Sequence, residues 1–218
     1  MNYTNIDNFI FDFGGVLYEI DTEISIKKLC NLSSDPFIRE QGIYQDYSNH
    51  KLFNDYECGK ISTEFFLEKL KSEFSLSVSN EDLISIWNET LIGLYKNSIE
   101  IIKRFKKYGK IFLFSNTSEI HYTKFYPECT ELFGLFDECF FSFRIGLRKP
   151  DPASYNYIIE KHSLIPSKTL FIDDFIKNID GARRVGLNVY HINSVNSLSD
   201  LLHSVESDTQ AKTTPNPQ

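Results

Sequence analysis

Four groups of polar residues, each just beyond a short apolar run, stand out in this 218-residue chain. They are Asp12, the pair Ser115-Asn116, Lys149 within Arg148-Lys149-Pro150, and the pair Asp173-Asp174. Three carboxylates brought into one cleft repel one another and stay ionised together only beside a cation. Oxygen donors without His or Cys suit Mg²⁺. A magnesium ion and a lysine ammonium together suit a phosphoryl group, whose transfer depends mainly on charge neutralisation and positioning. In such a site Asp12 is the candidate nucleophile, attacking phosphorus to form an aspartyl-phosphate. Ser115 and the Asn116 backbone N–H are candidates for the remaining phosphate oxygens, Lys149 for charge neutralisation, and Asp12, Asp173 and Asp174 for the metal.

Read singly, each group has a plainer meaning. A strand-end Asp caps a helix or turns the chain, Ser-Asn makes a turn, and a lone Lys is a solvated charge. Their order, each beyond an apolar run, is what singles them out. The runs Phe9–Phe11, Ile111–Phe114, Cys139–Phe143, Leu170–Ile172 and Asn188–Ile192 are short, apolar and bounded by turn-forming residues, as buried parallel strands are. Helical patterns over Ser98–Tyr108, Ser118–Phe125, Pro152–His162 and Ile176–Val185 alternate with the later ones. Such alternation predicts an α/β fold, a parallel sheet sandwiched by helices, with ligands held beyond the carboxyl ends of the strands. Between the first strand and Ile111 there are helix signals without convincing strands: Asp21 or Thr22 through Leu32, a start at Ser62, and a capping box over Ser79-Asn80-Glu81-Asp82. The expected organisation is a core of residues 1–16 and 96–205, an inserted helical lid over 17–95, and a polar, disordered tail over 206–218.

The formal net charge is −7, and no dense Lys/Arg cluster is present, which argues against nucleic acid as a partner. Cys30, Cys58, Cys129 and Cys139 are widely spaced, with no zinc-type pair and no disulfide framework. No signal-peptide pattern opens the sequence and no run approaches a membrane span. The expectation is a cytoplasmic protein, monomer or homodimer, acting on a small molecule.

The pattern resembles the haloacid dehalogenase-like hydrolase superfamily. Phe9-Ile10-Phe11-Asp12-Phe13-Gly14-Gly15-Val16-Leu17 is similar to its first motif, Leu113-Phe114-Ser115-Asn116-Thr117 to the second and Gly146-Leu147-Arg148-Lys149-Pro150 to the third. Leu170-Phe171-Ile172-Asp173-Asp174, followed by Asn178, Gly181-Ala182 and Gly186, is similar to the fourth. The resemblance implies a Rossmannoid core, a C1 helical cap between motifs one and two, Asp12 as nucleophile and Mg²⁺ as cofactor. With Gly59-Lys60-Ile61-Ser62 and Trp87-Asn88 included, it comes nearest to bacterial sugar-phosphate phosphatases acting on α-glucose 1-phosphate.

One position departs from the phosphatase motif D-x-D-[GA]-[TV]. Its second Asp, which protonates the leaving group, is here Gly14. The metal contact made by that residue's backbone carbonyl is retained by Gly14, while general acid catalysis, ordinarily about 10²–10⁴-fold, is missing. Three readings are open: substrates with good leaving groups, a substitute carboxylate at Glu19 or Asp21, or a catalytically weak regulatory or binding protein. The resemblance implies that the subgroup itself carries Gly here, which favours an active enzyme. A 2-haloacid dehalogenase would also tolerate Gly14, but it has no use for the Asp173-Asp174 pair. Trp87 reads as a core residue, Lys60 and the histidines as packing or surface residues, and Asn178 as support for the Asp pair.

Overall fold

The structure is a computed structural model, and it describes residues 3–41, 50–193 and 197–213. Five apolar runs form the main sheet: β1 (Asn8–Phe11), β4 (Lys110–Ser115), β5 (Glu138–Phe141), β6 (Thr169–Asp173) and β7 (Asn188–His191). Their order is β5-β4-β1-β6-β7, and every pairing is parallel. β1 is central and buried throughout, which is why it reads as an unbroken apolar run. Alternate side chains serve opposite layers. Phe9, Phe11, Leu113 and Ile172 pack on one face, under α6 (Ser98–Phe105), α7 (Glu119–Phe133) and α11 (Ser197–Thr213). Ile10, Phe112, Phe114 and Phe171 pack on the other, under α9 (Pro152–His162) and α10 (Ile176–Arg184).

The segment between β1 and β4 carries α1 (Thr22–Leu32), α2 (Pro36–Gln41), α3 (Lys51–Glu57), α4 (Thr63–Glu73) and α5 (Asn80–Asn88). α1, α4 and α5 start where the caps predict. Asp21 accepts from the Glu23 N–H, Ser62 from that of Phe65 and Ser79 from that of Asp82. They bury a second cluster, with Leu29, Phe53, Phe66 and Leu83 among its members, which meets α7 through Ile120.

The structure corrects four expectations. The helical segment is flanked by a two-stranded antiparallel sheet, β2 (Tyr18–Ile20) with β3 (Leu91–Leu94). These strands are too short to show a period-two pattern, and β3 contains Gly93. The third apolar run leaves the sheet at Phe141 and turns into α8 (Ser142–Ile145). α7 continues through Pro127 to Phe133, because Phe125, Cys129, Leu132 and Phe133 keep one apolar face against the sheet. The tail expected to be disordered from residue 206 is helical as far as Thr213. It continues a helix whose apolar stripe, Leu198, Leu201, Leu202 and Val205, is buried ahead of it. Glu206 pairs with Arg104, and Asp208 accepts from the Tyr3 N–H. Residues 214–218 of that tail lie outside the described residues.

Candidate active site

Parallel strands end together, so β1, β4 and β6 deliver their terminal and adjoining residues to one sheet edge. Asp12 comes directly after β1, Ser115 ends β4 and Asp173 ends β6. Lys149 arrives from the loop after α8 and is clamped there by Asn116. The Asn116 Nδ2 donates to the Lys149 carbonyl at 2.9 Å, and the Lys149 N–H donates to Asn116 Oδ1 at 2.9 Å. The buried Lys149 Nζ then lies 2.7 Å from Asp12 Oδ1 and 2.7 Å from Asp173 Oδ2.

The two members of the Asp pair are not equivalent. Asp173 is fully buried and saturated by protein donors. Its Oδ1 accepts from the Phe175 N–H, both oxygens accept from Asn178 Nδ2 at 3.1 Å, and Oδ2 also takes Lys149. Asp174 is exposed, and its carboxylate lies against the first motif. A Cβ on Gly15 would sit 2.1 Å from Asp174 Oδ2, and Gly15 has φ of +77°, so only glycine allows this approach. One carboxylate oxygen from each of Asp12, Asp173 and Asp174 falls within 4.8 Å of the others.

The electrostatics result from that crowding. Burial pushes the Asp12 carboxyl well above its usual range, and Asp173 and Asp174 push the same way against Lys149. Asp174 is exposed as a residue, but its carboxylate is desolvated against the first motif, and that desolvation, then Asp173, raises it to about 6. Burial opposes charge on Lys149, but Asp12 and Asp173 outweigh it and hold its pKa above the usual lysine value. Three carboxylates facing one ammonium leave an excess of negative charge. All-oxygen donors with that excess, and a glycine cradle for Asp174, fit a hard divalent cation.

A cavity of about 330 Å³ opens at this edge, with Asp12, Gly14, Ile20, Asn116, Lys149 and Asp174 in its wall. The expected residues take the following places around it. Ser115 is buried behind the wall, with its hydroxyl 3.5 Å from the Asn116 carbonyl. The Asn116 side chain is committed to clamping Lys149, which leaves its backbone N–H for a ligand. Asn178 supports Asp173 directly. Glu19, proposed from sequence as a substitute acid, is not brought to the cavity: it is exposed on β2, where side chains alternate, and its neighbour Ile20 takes the place in the wall. Asp21, the other carboxylate considered, caps α1.

Ile20 also accounts for the space at Gly14. A Cβ there would lie 2.9 Å from Ile20 Cδ1, the end of a flexible, exposed side chain, so a second Asp would require that side chain to shift.

Sequence reasoning missed one site contact. Arg148, in the cavity wall, donates from Nε (3.0 Å) and Nη2 (2.8 Å) to Glu57 Oε2 at the end of α3. Burial raises the pKa of Glu57, against the pull of Arg148. Ninety-one positions separate the partners, and no local pattern couples them. Lys60 lies apart, exposed and 3.9 Å from Asp55.

Comparison with known proteins agrees with this geometry. The family model described as haloacid dehalogenase-like hydrolase matches residues 6–186. A D-ribitol-5-phosphate phosphatase of Bacteroides thetaiotaomicron is 26% identical over 191 residues, covering 85% of this chain and 91% of its own. A HAD-like family hydrolase structure from Porphyromonas gingivalis superposes with a TM-score of 0.75 at 27% identity, covering 90% of this chain and 98% of that one. A HAD family enzyme of B. thetaiotaomicron, in complex with magnesium and inorganic phosphate, shares the fold with a TM-score of 0.76 at 24% identity, over 90% of this chain and 98% of its own.

Proposed function

The chain belongs to the haloacid dehalogenase-like hydrolases, and on that premise we propose that it is a Mg²⁺-dependent phosphomonoesterase acting on a small sugar or polyol phosphate. The observation that carries this reading is the pairing of a buried Lys149, held between Asp12 and Asp173, with an Asp174 carboxylate laid on Gly15. Dehalogenation by the same nucleophile needs no cation, and three crowded carboxylates would then be an uncompensated cost. The relative that acts on D-ribitol 5-phosphate and the neighbour that binds magnesium and phosphate support the same choice.

In this reading Asp12 attacks phosphorus through a carboxylate oxygen, the bond from phosphorus to the leaving oxygen breaks, and Asp12 carries the phosphoryl group as a mixed anhydride. Water then attacks that phosphorus, releasing inorganic phosphate and restoring the Asp12 carboxylate. Lys149 holds Asp12 in place and offsets charge on the transferring group. The Asn116 backbone N–H is a second donor to it. Asp12, Asp174 and the Gly14 carbonyl would hold Mg²⁺, while Asp173, already saturated, orients Lys149. When bound, the ion supplies Lewis-acid polarisation and charge compensation. Residues 17–95 form the cap in this reading. The core is residues 1–16 and 96–213, longer than composition suggested because α11 belongs to it.

Phosphate release from p-nitrophenyl phosphate with Mg²⁺, and with EDTA in its place, tests the proposal beside chloride release from chloroacetate. We expect Mg²⁺-dependent phosphate release and no chloride. Chloride release without phosphate release would make the protein a dehalogenase.

A further inference from the structure

β4 and β5 pair as far as Ser115 with Phe141. Beyond that rung β5 turns into α8, and the Ser142 carbonyl accepts from the Gly146 N–H inside the turn, at 2.9 Å. That carbonyl no longer faces β4, and the Ser142 hydroxyl serves in its place. Ser142 Oγ accepts from the Thr117 N–H at 2.9 Å and donates to the Thr117 carbonyl at 3.0 Å. Both residues are buried, Ser142 completely. One hydroxyl thus satisfies both backbone polar groups of Thr117, which would be costly to leave unpaired away from water.

Thr117 follows Asn116, and Asn116 has two tasks at the site. Its side chain clamps both backbone groups of Lys149, and its own N–H is the donor assigned to the phosphoryl group. The peptide joining Asn116 to Thr117 is planar, so holding its N–H fixes how the Asn116 backbone leaves β4. The Ser115 hydroxyl, 3.5 Å from the Asn116 carbonyl at the other side of that peptide, is a much weaker restraint. Contacts therefore run from Ser142 to Thr117, through Asn116 to Lys149, and from Lys149 Nζ to Asp12. Asp12, Gly14 and Asp174 stand on other loops, after β1 and β6.

We propose, resting on the phosphatase reading, that Ser142 is a positioning residue: its hydroxyl aims the Asn116 N–H at the transferring phosphoryl group and keeps the Asn116 side chain on Lys149. Fully buried, it touches neither substrate nor metal. Without the hydroxyl, the two Thr117 groups can be paired again only by moving the loop, which carries Asn116 with it. A donor that is already oriented is worth more to a developing charge than one that must reorient.

The test measures kcat/KM for p-nitrophenyl phosphate and the Kd of inorganic phosphate, both in saturating Mg²⁺ and well below each variant's thermal midpoint. Ser142→Ala should lower kcat/KM by about tenfold and weaken phosphate by about as much. The Mg²⁺ concentration giving half-maximal activity should stay within about twofold of wild type, because the metal residues stand on other loops. Ser142→Cys nearly keeps the volume but bonds weakly through sulfur. It should shift kcat/KM and phosphate affinity the same way, and it decides the question if Ser142→Ala does not fold. Folded variants within about twofold of wild type in both quantities would overturn the positioning role and leave the phosphatase reading intact. Equal losses of Mg²⁺ and phosphate affinity would overturn it too, since they would mark a general loosening of the site. A wild type that releases no phosphate would overturn the phosphatase reading and this role with it.

Discussion

At Gly14 the difference between an Asp and a Gly is a question of volume as much as of chemistry. Ile20 Cδ1 lies close to where a Cβ would come, so Gly14→Asp requires that exposed side chain to shift. Gly14→Asp with Ile20→Ala makes the room. If no other group delivers the leaving-group proton, the double variant should hydrolyse alkyl phosphates about tenfold faster and flatten the dependence of log rate on leaving-group pKa. A slope unchanged from wild type, with chemistry rate-limiting in single turnovers, would show that a proton donor already exists in the site. Asp174 gives a second prediction. Its folded pKa, about 6, lies above the ordinary 3.8, so the native state binds this proton more tightly than the unfolded chain. Stability therefore falls as pH rises through that window, and the loss is complete above it. Asp174→Asn removes the penalty. In EDTA at about pH 7.5 its thermal midpoint should exceed wild type by about 2–4 °C, corresponding to roughly 1 kcal/mol after solvent screening, and at about pH 4 the gain should vanish. Added Mg²⁺ should raise the wild-type midpoint and not that of the variant. A variant no more stable than wild type in EDTA would remove the excess-charge argument for the cation.

At the scale of elements, legibility tracked how local the signal was. The caps at Asp21, Ser62 and Ser79 act within three residues, and each helix begins where its cap stands. The core strands were visible because burial on both faces leaves an unbroken apolar run. The β2–β3 ribbon was not, since three or four residues cannot display a period and its pairing joins positions far apart in sequence. α11 was misread in its second half because that half is polar and continues a helix whose buried stripe lies ahead of it. Leu201 is fully buried on that helix, so Leu201→Ala should cost about 2–5 kcal/mol and lower the thermal midpoint by about 10 °C in a calorimetric scan. A midpoint within about 2 °C of wild type would mean that α11 does not pack on the sheet.

For the molecule as a whole, strand order does the assembling. Residues separated by as many as 162 positions, Asp12 and Asp174, meet because β1 and β6 are adjacent and parallel. That convergence was legible from the sequence, because both the apolar strands and the polar residues at their carboxyl ends could be read there. The contacts that complete the cavity were not: Arg148 with Glu57 and Ile20 over Gly14 each join residues that no motif couples. Among the described residues no helix is long and apolar enough to cross a membrane. The claim on which the rest depends is that Asp12 takes the phosphoryl group. It is tested by mixing the protein rapidly with a ³²P-labelled phosphate monoester and Mg²⁺, quenching in acid, and locating the label by peptide mapping. Label should be found on the peptide containing Asp12 and be absent from Asp12→Asn. Phosphate release in the wild type with no protein-bound label at any quench time, or with label on another peptide, would contradict Asp12 as the nucleophile.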